Sequence, residues 1–451
     1  MPAKYHIHTA QAPPKHKVIG KYGIVDWRED CSACHNCVKR ECAYSVYDGE
    51  RDRLQGASDY VDYLYECKGC LCCVQSCTKG LLTQEVNPEF EGLGDGVWTP
   101  DIISGTWFQA ETGRIPVSGA GYAGPFMGPG FDAILTDMSE IVRPTRDGIH
   151  GREYISTQVE IGRKLPSLSF NPDGSLAEPY PTQIDVPIPI LFDLLPWHTP
   201  SEQVTRAMLD AAEALGTRAV TDTQMDHDAA APHVRDGAIP SGAPLVEWSD
   251  SSDVVRQVRQ AREANGDLVA MVRLPLGADS IARALELTEQ GVDAIHSCAD
   301  WHGNATDGTH ITRAVQALHQ AFVERGNRDA VTIVSSGGIA LAEHVAKTII
   351  CGADAVAVDI PLMIALECRV CRNCTEGIQC PVGLADIDHD YAVQRIVNLI
   401  GAWHSQLLEM MGAMGIREVR RLRGEVGRAM FFEDLERDCF GPIFGTRKVQ
   451  I

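Results

Sequence analysis

Ile333-Val-Ser-Ser-Gly-Gly-Ile339, followed after a helical stretch by Gly352-Ala-Asp-Ala-Val-Ala-Val-Asp-Ile360, decides the fold. A β-branched run ending in Ser-Gly-Gly reads as a strand whose terminal loop exposes backbone N–H groups able to cradle a phosphate. The second phrase places a Gly at a helix end just before the next strand. The phrases Ala-Leu-Gly-Thr and Gln-Gly-Val-Asp-Ala-Ile repeat that helix, Gly, strand step upstream. Working outward, strands are predicted at 188–195, 219–221, 268–274, 294–297, 331–335 and 355–358. Helices are predicted between them at 200–215, 251–264, 279–290, 310–325 and 340–350. No G-x-G-x-x-G follows the first strand, so the alternation favours an α/β (β/α)8 TIM barrel over a doubly wound sheet. In such barrels the loops after the last two strands commonly hold a phosphate, which points to flavin mononucleotide (FMN) or a phosphorylated ligand.

Of the 451 residues 16 are Cys, and they are clustered: nine lie between Cys31 and Cys77 and four between Cys368 and Cys380. No apolar signal segment begins the chain and no apolar run is long enough to span a membrane, so the expected compartment is the cytoplasm, where thiols stay reduced. Cys31, Cys34, Cys37 and Cys42 read C-x2-C-x2-C-x4-C, and Cys67, Cys70, Cys73 and Cys77 read C-x2-C-x2-C-x3-C. That step is the ligand spacing of two-cluster bacterial ferredoxins, in which the fourth Cys of each motif serves the other cluster. Cys42 is therefore assigned to the cluster of Cys67, Cys70 and Cys73, and Cys77 to that of Cys31, Cys34 and Cys37. Cys72 is left as a small apolar residue. Zinc, the alternative for C-x2-C pairs, needs fewer thiolates than two triplets offer. Residues 16–90 resemble a ferredoxin-like two-[4Fe–4S] domain, although Ala43 and Thr78 stand where such domains commonly have Pro.

Directly after the last predicted strand comes Cys368-Arg-Val-Cys-Arg-Asn-Cys-Thr-Glu-Gly-Ile-Gln-Cys-Pro-Val-Gly383, whose four thiols can hold a third cluster. Strand, Ser-Gly-Gly, helix, Gly-Ala-Asp, strand, cysteine island and Cys-Pro-Val-Gly in this order resemble the FMN-binding synthase domain of glutamate synthase, from about residue 113 to 435. The match includes 186–190 as its first strand. With the cysteine-rich front, the layout is similar to archaeal-type, glutamate synthase-like proteins, which lack a glutaminase domain. Position 2 is Pro and the first Cys is Cys31, so an N-terminal cysteine nucleophile is excluded.

The resemblance implies FMN with its phosphate on Ser336, Gly337, Gly338 and the loop at Asp359 and Ile360. It also implies electrons from a flavoprotein reductase subunit or a ferredoxin, hence a hetero-oligomeric complex, and reduction of a small substrate such as 2-oxoglutarate or an imine. The family's third cluster is a [3Fe–4S] on three Cys, matched by Cys368, Cys374 and Cys380. Cys371 adds a fourth thiolate and favours a [4Fe–4S]. Departures fall on the pocket: Thr221-Asp-Thr-Gln-Met225 and Ala299-Asp-Trp-His-Gly-Asn-Ala305 replace glycine-rich loops, Arg273 replaces a lysine, and Asp359-Ile-Pro361 replaces Gly-Thr-Ala. Asp359 puts a carboxylate near the phosphate unless it turns away or meets a donor.

Two catalytic candidates follow. His302, in the loop after a strand and near Asp300 and Asp307, is placed for proton transfer, and Arg273 for offsetting charge on a reduced flavin or, failing that, for pairing with a carboxylate inside the barrel. His296 and Cys298 end a strand and are expected in the core or lining the pocket. Trp and Met at helical spacing in 403–414 read as a core face. The domain reading is a tail 1–15, the ferredoxin-like unit 16–90, a Gly/Pro-rich connector 91–180, the barrel 181–366 and a cluster-binding helical tail 367–451. Within the connector, Arg143, Arg146, His150 and Arg152 read as surface charges or an anion site.

The formal net charge of −21 excludes nucleic acid as a partner and weighs toward a bound reductase over a diffusing acidic ferredoxin. The runner-up function is a non-catalytic electron-transfer and scaffold subunit of a larger redox complex.

Overall fold

The structure, a computed structural model, describes residues 5–26, 40–44, 67–118, 121–122, 124, 128, 130–138, 155–165, 167–197, 201–222, 225–235, 242–425 and 429–445. Cys31, Cys34 and Cys37, and likewise Arg143, Arg146, His150 and Arg152, lie outside them. The chain divides into two units: Met1–Pro13 with Gly105–Cys368 and Arg372–Ile451, and Pro14–Ser104 with Arg369–Cys371.

The larger unit is a closed barrel of parallel strands. Numbered along the barrel they are β1 (Ile190–Phe192), β2 (Ala219–Thr221), β3 (Ala230–Val234), β4 (Leu245–Ser249), β5 (Val269–Pro275), β6 (Ala294–Cys298), β7 (Thr332–Ser336) and β8 (Ala355–Val358). Each pairs with its chain neighbour, and β8 closes on β1 in the register Val356 to Ile190. The TIM-barrel fold read from the sequence is therefore observed. Helices α1 (Glu202–Leu215), α2 (Val254–Ala264), α3 (Ala278–Glu289), α4 (Ile311–Arg325) and α5 (Ala342–Ile350) fall within a few residues of their predicted places. Ser201 Oγ caps α1 by accepting from Val204 N–H at 3.3 Å, and Gly216 ends it at φ 69°, a left-handed turn that glycine enters without a Cβ penalty.

Two features correct the sequence reading. Strands β3 and β4 were not predicted: Pro232 lies inside β3, the charged Glu247 inside β4, and the link 222–229 is too short for a helical step. The segment 186–190 is not the first barrel strand. Val186 ends an outer strand, Gln183–Val186, Pro187 and Pro189 break the run, and only Ile190 enters β1.

That outer strand pairs antiparallel with Val159–Gly162, and the resulting hairpin closes the N-terminal end of the barrel. Gly162 N–H donates to Thr332 Oγ1 at 3.1 Å, Lys164 N–H donates to Ala330 O at 3.1 Å, and Ile161 and Val186 are fully buried. At the periphery a long helix, α7 (His389–Met414, named after the short α6, Ile360–Ala365), lies against α1 and α5. Its Trp403, Met410, Met411 and Met414 are buried, and Trp403 Nε1–H donates to Gln109 Oε1 at 3.0 Å.

Helix α5 carries a buried ion pair, Glu343 with Lys347 at 3.8 Å, and Lys347 Nζ also donates to Phe131 O at 2.8 Å. Burial pushes the Glu343 carboxyl up to about 7, with Lys347 opposing. A carboxyl that titrates higher in the folded state favours folding below its unfolded value, and loses that contribution as pH rises through its folded one. Between the ordinary 4.5 and about 7, Glu343 is thus expected to cost the fold up to about 3 kcal/mol relative to acid pH. Glu343→Gln flattens that part of the pH dependence, measured as the difference in denaturation midpoint between variant and wild type at pH 5 and pH 7.5. Equal slopes in the two proteins would refute it.

In the smaller unit Tyr22–Asp26 pairs antiparallel with Leu82–Val86, and Tyr22 also bridges Cys67. The short helix Cys72–Ser76 follows Leu71 at φ 62°. Gly69, at φ 70°, packs so closely that a Cβ would stand 2.7 Å from Gln84 and Tyr22.

Candidate functional site

The C-terminal ends of the barrel strands converge on a buried polar cluster. Glu247 on β4, fully buried, is its centre. Arg273 Nε–H on β5 donates to Glu247 Oε2 at 2.9 Å, His233 Nδ1 on β3 lies 2.6 Å from the same oxygen, and His296 Nδ1 on β6 lies 2.5 Å from Oε1. The Arg273 guanidinium also pairs with Asp193, just beyond β1. On its other side the His296 ring faces Ser336 Oγ at 3.0 Å and Asp193 Oδ2 at 3.6 Å. Alternation puts these side chains inside because each lies on the lumen face of its strand.

The electrostatics follow from that packing. Burial would raise the Glu247 carboxyl, but Arg273, His296 and His233 outweigh it and hold the group well below the carboxylate range. Burial would likewise lower the His296 ring; Cys298, Asp193 and Glu247 outweigh burial and Arg273 and bring it up to about 10. Arg273 is therefore a paired cation inside the barrel, with Asp193 and Glu247 as its carboxylates.

At the end of β7 the Ser-Gly-Gly turn runs through φ 106° at Gly337 and 66° at Gly338. A Cβ on Gly337 would stand 2.5 Å from Asp300 O, and one on Gly338 would stand 2.6 Å from Gly303. The glycines thus let this turn nest into the loop after β6. That loop is organised by its acids: Asp300 Oδ1 accepts from His302 N–H at 2.9 Å and Asn304 N–H at 2.7 Å, and Asp307 Oδ1 accepts from Thr309 N–H at 2.9 Å. The His302 ring instead packs on Trp301, centroids 3.6 Å apart, with Trp197 edge-on to Trp301 at 5.5 Å.

After β8, Asp359 caps α6 by accepting from Ile360 N–H at 2.6 Å. Burial, and then the Asp193 charge, push its carboxyl up to about 7. The Ile360 N–H assigned to a phosphate is already met by this carboxylate.

In the smaller unit burial raises the Cys67 thiol, with Gly69 N–H opposing and the charges of Cys70 and Cys42 adding to it. Gly69 N–H donates to Cys67 Sγ and Leu81 N–H to Cys77 Sγ, each at 3.3 Å. Backbone N–H groups, led by that of Cys72, hold the Cys70 thiol below its usual range, and Leu81 does the same for Cys77. Such N–H···S bonds favour thiolates, the form that ligates iron. In the last motif Cys368 is buried and Cys371 exposed, and the non-glycine residues Glu367, Val370 and Arg372 take φ of 71°, 54° and 59°. A β-branched residue in that region is a true outlier, of the kind found where a chain must aim its side chains.

Sequence reasoning missed Glu247, Asp193 and His233. The one available signal was a Glu inside the apolar run Leu-Val-Glu-Trp-Ser, a charge that a barrel strand carries only with partners.

Residues 233–417 match the conserved region in glutamate synthase. The archaeal-type glutamate synthase [NADPH] of Dehalococcoides mccartyi is 25% identical over 89% of this chain and 93% of its own. The archaeal glutamate synthase [NADPH] of Archaeoglobus fulgidus is 24% identical over 93% and 96%. Among solved structures, a mandelate oxidase with a monooxide FMN adduct aligns at a TM-score of 0.38 and 14% identity, over 75% of this chain and 95% of that one. Over residues 233–417 the chain thus matches the conserved region in glutamate synthase, and over most of its length it is similar to archaeal-type glutamate synthases.

Proposed function

We propose that this chain is an iron–sulfur flavoprotein, a glutamate synthase-like oxidoreductase that takes electrons from a partner reductase or ferredoxin through three clusters to FMN at the barrel mouth. The observation that carries the reading is the pair of backbone N–H···S bonds in the cysteine-rich unit, Gly69 N–H to Cys67 Sγ and Leu81 N–H to Cys77 Sγ, each at 3.3 Å. These bonds favour thiolates in a two-cluster unit, whose expected exchange of fourth ligands gives Cys42 to Cys67, Cys70 and Cys73, and Cys77 to Cys31, Cys34 and Cys37. The third cluster is assigned to Cys368, Cys374 and Cys380, with Cys371 as fourth ligand of a [4Fe–4S].

FMN, when bound, supplies hydride transfer to an imine or related small substrate. The backbone of Ser336, Gly337 and Gly338 holds its phosphate, and Asp359 and Ile360, closed on each other, do not. His302, at the mouth and steadied by Trp301, holds the proton for the substrate. Arg273 keeps a positive charge beneath the mouth, already balanced by Asp193 and Glu247, so it orients charge more than it attracts anions.

Anaerobically purified protein is expected to carry about 12 iron per chain and one acid-released flavin. With reduced methyl viologen, 2-oxoglutarate and ammonia it is expected to form glutamate. Cys70→Ser removes iron, whereas Cys72→Ser, whose thiol bonds Cys70 O at 3.8 Å and the Cys70 side chain without serving as a ligand, leaves it unchanged. Cys371→Ser changes the third cluster's EPR signal. Full iron without flavin would refute the catalytic reading and leave the scaffold one; flavin without glutamate would refute the substrate.

A further inference from the structure

We infer that Asp193, His296 and Cys298 form a mononuclear site for a zinc-like divalent cation at the barrel mouth, with one coordination position open. A carboxylate oxygen, a ring nitrogen and Cys298 Sγ from these three lie within 4.8 Å of one another. Zinc bonds of about 2.0 to 2.3 Å put tetrahedral ligand atoms roughly 3.3 to 3.8 Å apart. The Asp193 Oδ2 to His296 Nε2 separation of 3.6 Å already meets that geometry, and the sulfur, within 4.8 Å of both, needs a closure of at most about 1 Å to join them.

The outer partners are those of a metal site. His296 Nδ1 faces the Glu247 carboxylate at 2.5 Å, so it is the donor there, and Nε2 is the ligand atom, exchanging its 3.0 Å contact with Ser336 Oγ for the ion. Carboxylate, histidine, metal is the common order in zinc centres, because the carboxylate fixes the ring and strengthens its basicity. Asp193 Oδ1 is engaged by Leu194 N–H at 2.7 Å and by Arg273, which leaves Oδ2 for the ion. A cation displaces any proton on Nε2, as metals do at histidine. Asp193, Glu247 and the Cys298 thiolate that ligation creates oppose Arg273 and a divalent ion in this lumen, so the added charge is balanced. One nitrogen, one oxygen and one sulfur ligand suit zinc, and three protein ligands leave the fourth position for water or a small oxygen or nitrogen ligand.

A second cluster shows what such a site is not. Asp210, Glu213 and His227 also lie close together, with His227 Nε2 2.9 Å from Asp210. There Ala229 N–H donates to His227 Nδ1 at 3.1 Å, which places the ring proton of the neutral form on Nε2, facing the carboxylates. That nitrogen is a donor and not a ligand.

The test uses the full chain with its clusters intact and zinc as the probe. Crystals grown with zinc are expected to show one anomalous peak at the zinc edge between Asp193, His296 and Cys298. Zinc content by mass spectrometry is expected to be one equivalent per chain, falling at least tenfold in Cys298→Ser and Asp193→Asn at unchanged iron. Equal zinc in wild type and Cys298→Ser, or anomalous peaks at the cysteine motifs alone, would overturn the site. Flavin measured on the same samples separates this from the proposed function: zinc without flavin upholds the site and refutes the flavoprotein, and flavin without zinc does the reverse.

Discussion

Glu247→Leu is expected to destabilise the barrel by about 3 to 5 kcal/mol, the cost of removing one partner from a buried ion pair. Three groups lose their carboxylate at once: Arg273, His296 and His233. Arg273 keeps Asp193, but the two rings are left facing a hydrocarbon. Glu247→Gln keeps the shape and one acceptor oxygen while turning an amide N–H₂ toward a donor, and its loss should be smaller. Equilibrium urea denaturation of both variants checks the order. A midpoint for Glu247→Leu equal to wild type would refute the keystone role. Because the Glu247 carboxyl sits below its ordinary 4.5, its contribution is present at neutral pH and disappears only as pH falls through its folded value.

Gly337→Ala is expected to empty the phosphate cradle. Its added Cβ meets two backbone oxygens, Asp300 O at 2.5 Å and Ala299 O at 2.7 Å, and backbone cannot swing aside as a long side chain does. The residue also takes φ 106°, where an L side chain costs roughly 1 to 3 kcal/mol in strain. Either the loop after β6 or the Ser336 to Gly338 turn must shift. Acid-released flavin per chain should drop at least tenfold while iron stays at the wild-type level. Gly266→Ala, where a Cβ finds open space and φ is ordinary, serves as the neutral control. Full flavin in Gly337→Ala would show that the phosphate is held elsewhere.

Much of the barrel was legible because its strands are short β-branched runs and its helices end in Gly before Ala-Asp-Ala-type strands. Strands β3 and β4 were not, since a proline and a glutamate interrupt the apolar pattern, and their pairing is settled only when the sheet closes. The same closure hides the charged core from sequence: His233, Glu247, Arg273 and His296 come from four strands and Asp193 from the turn after a fifth, and they share no local spacing. Arg273 and His296 could be named one at a time, but not their common partner. The cysteine motifs are the opposite case, for the ligand role proposed for them rests on intervals of three along the chain. The Ser-Gly-Gly turn was legible as a tight glycine turn at a strand end, whereas the self-capping of Asp359 on Ile360 depends on the backbone turn at that helix start.

The hairpin of Val159–Gly162 and Gln183–Val186 seals one end of the barrel. The lumen is therefore a one-ended vessel, and water or hydroxide reaching Glu247 must enter past the mouth. Amide deuterium uptake along β4, β5 and β6 should then be governed by what occupies the mouth, and a ligand there would slow exchange deep in the barrel that it never touches.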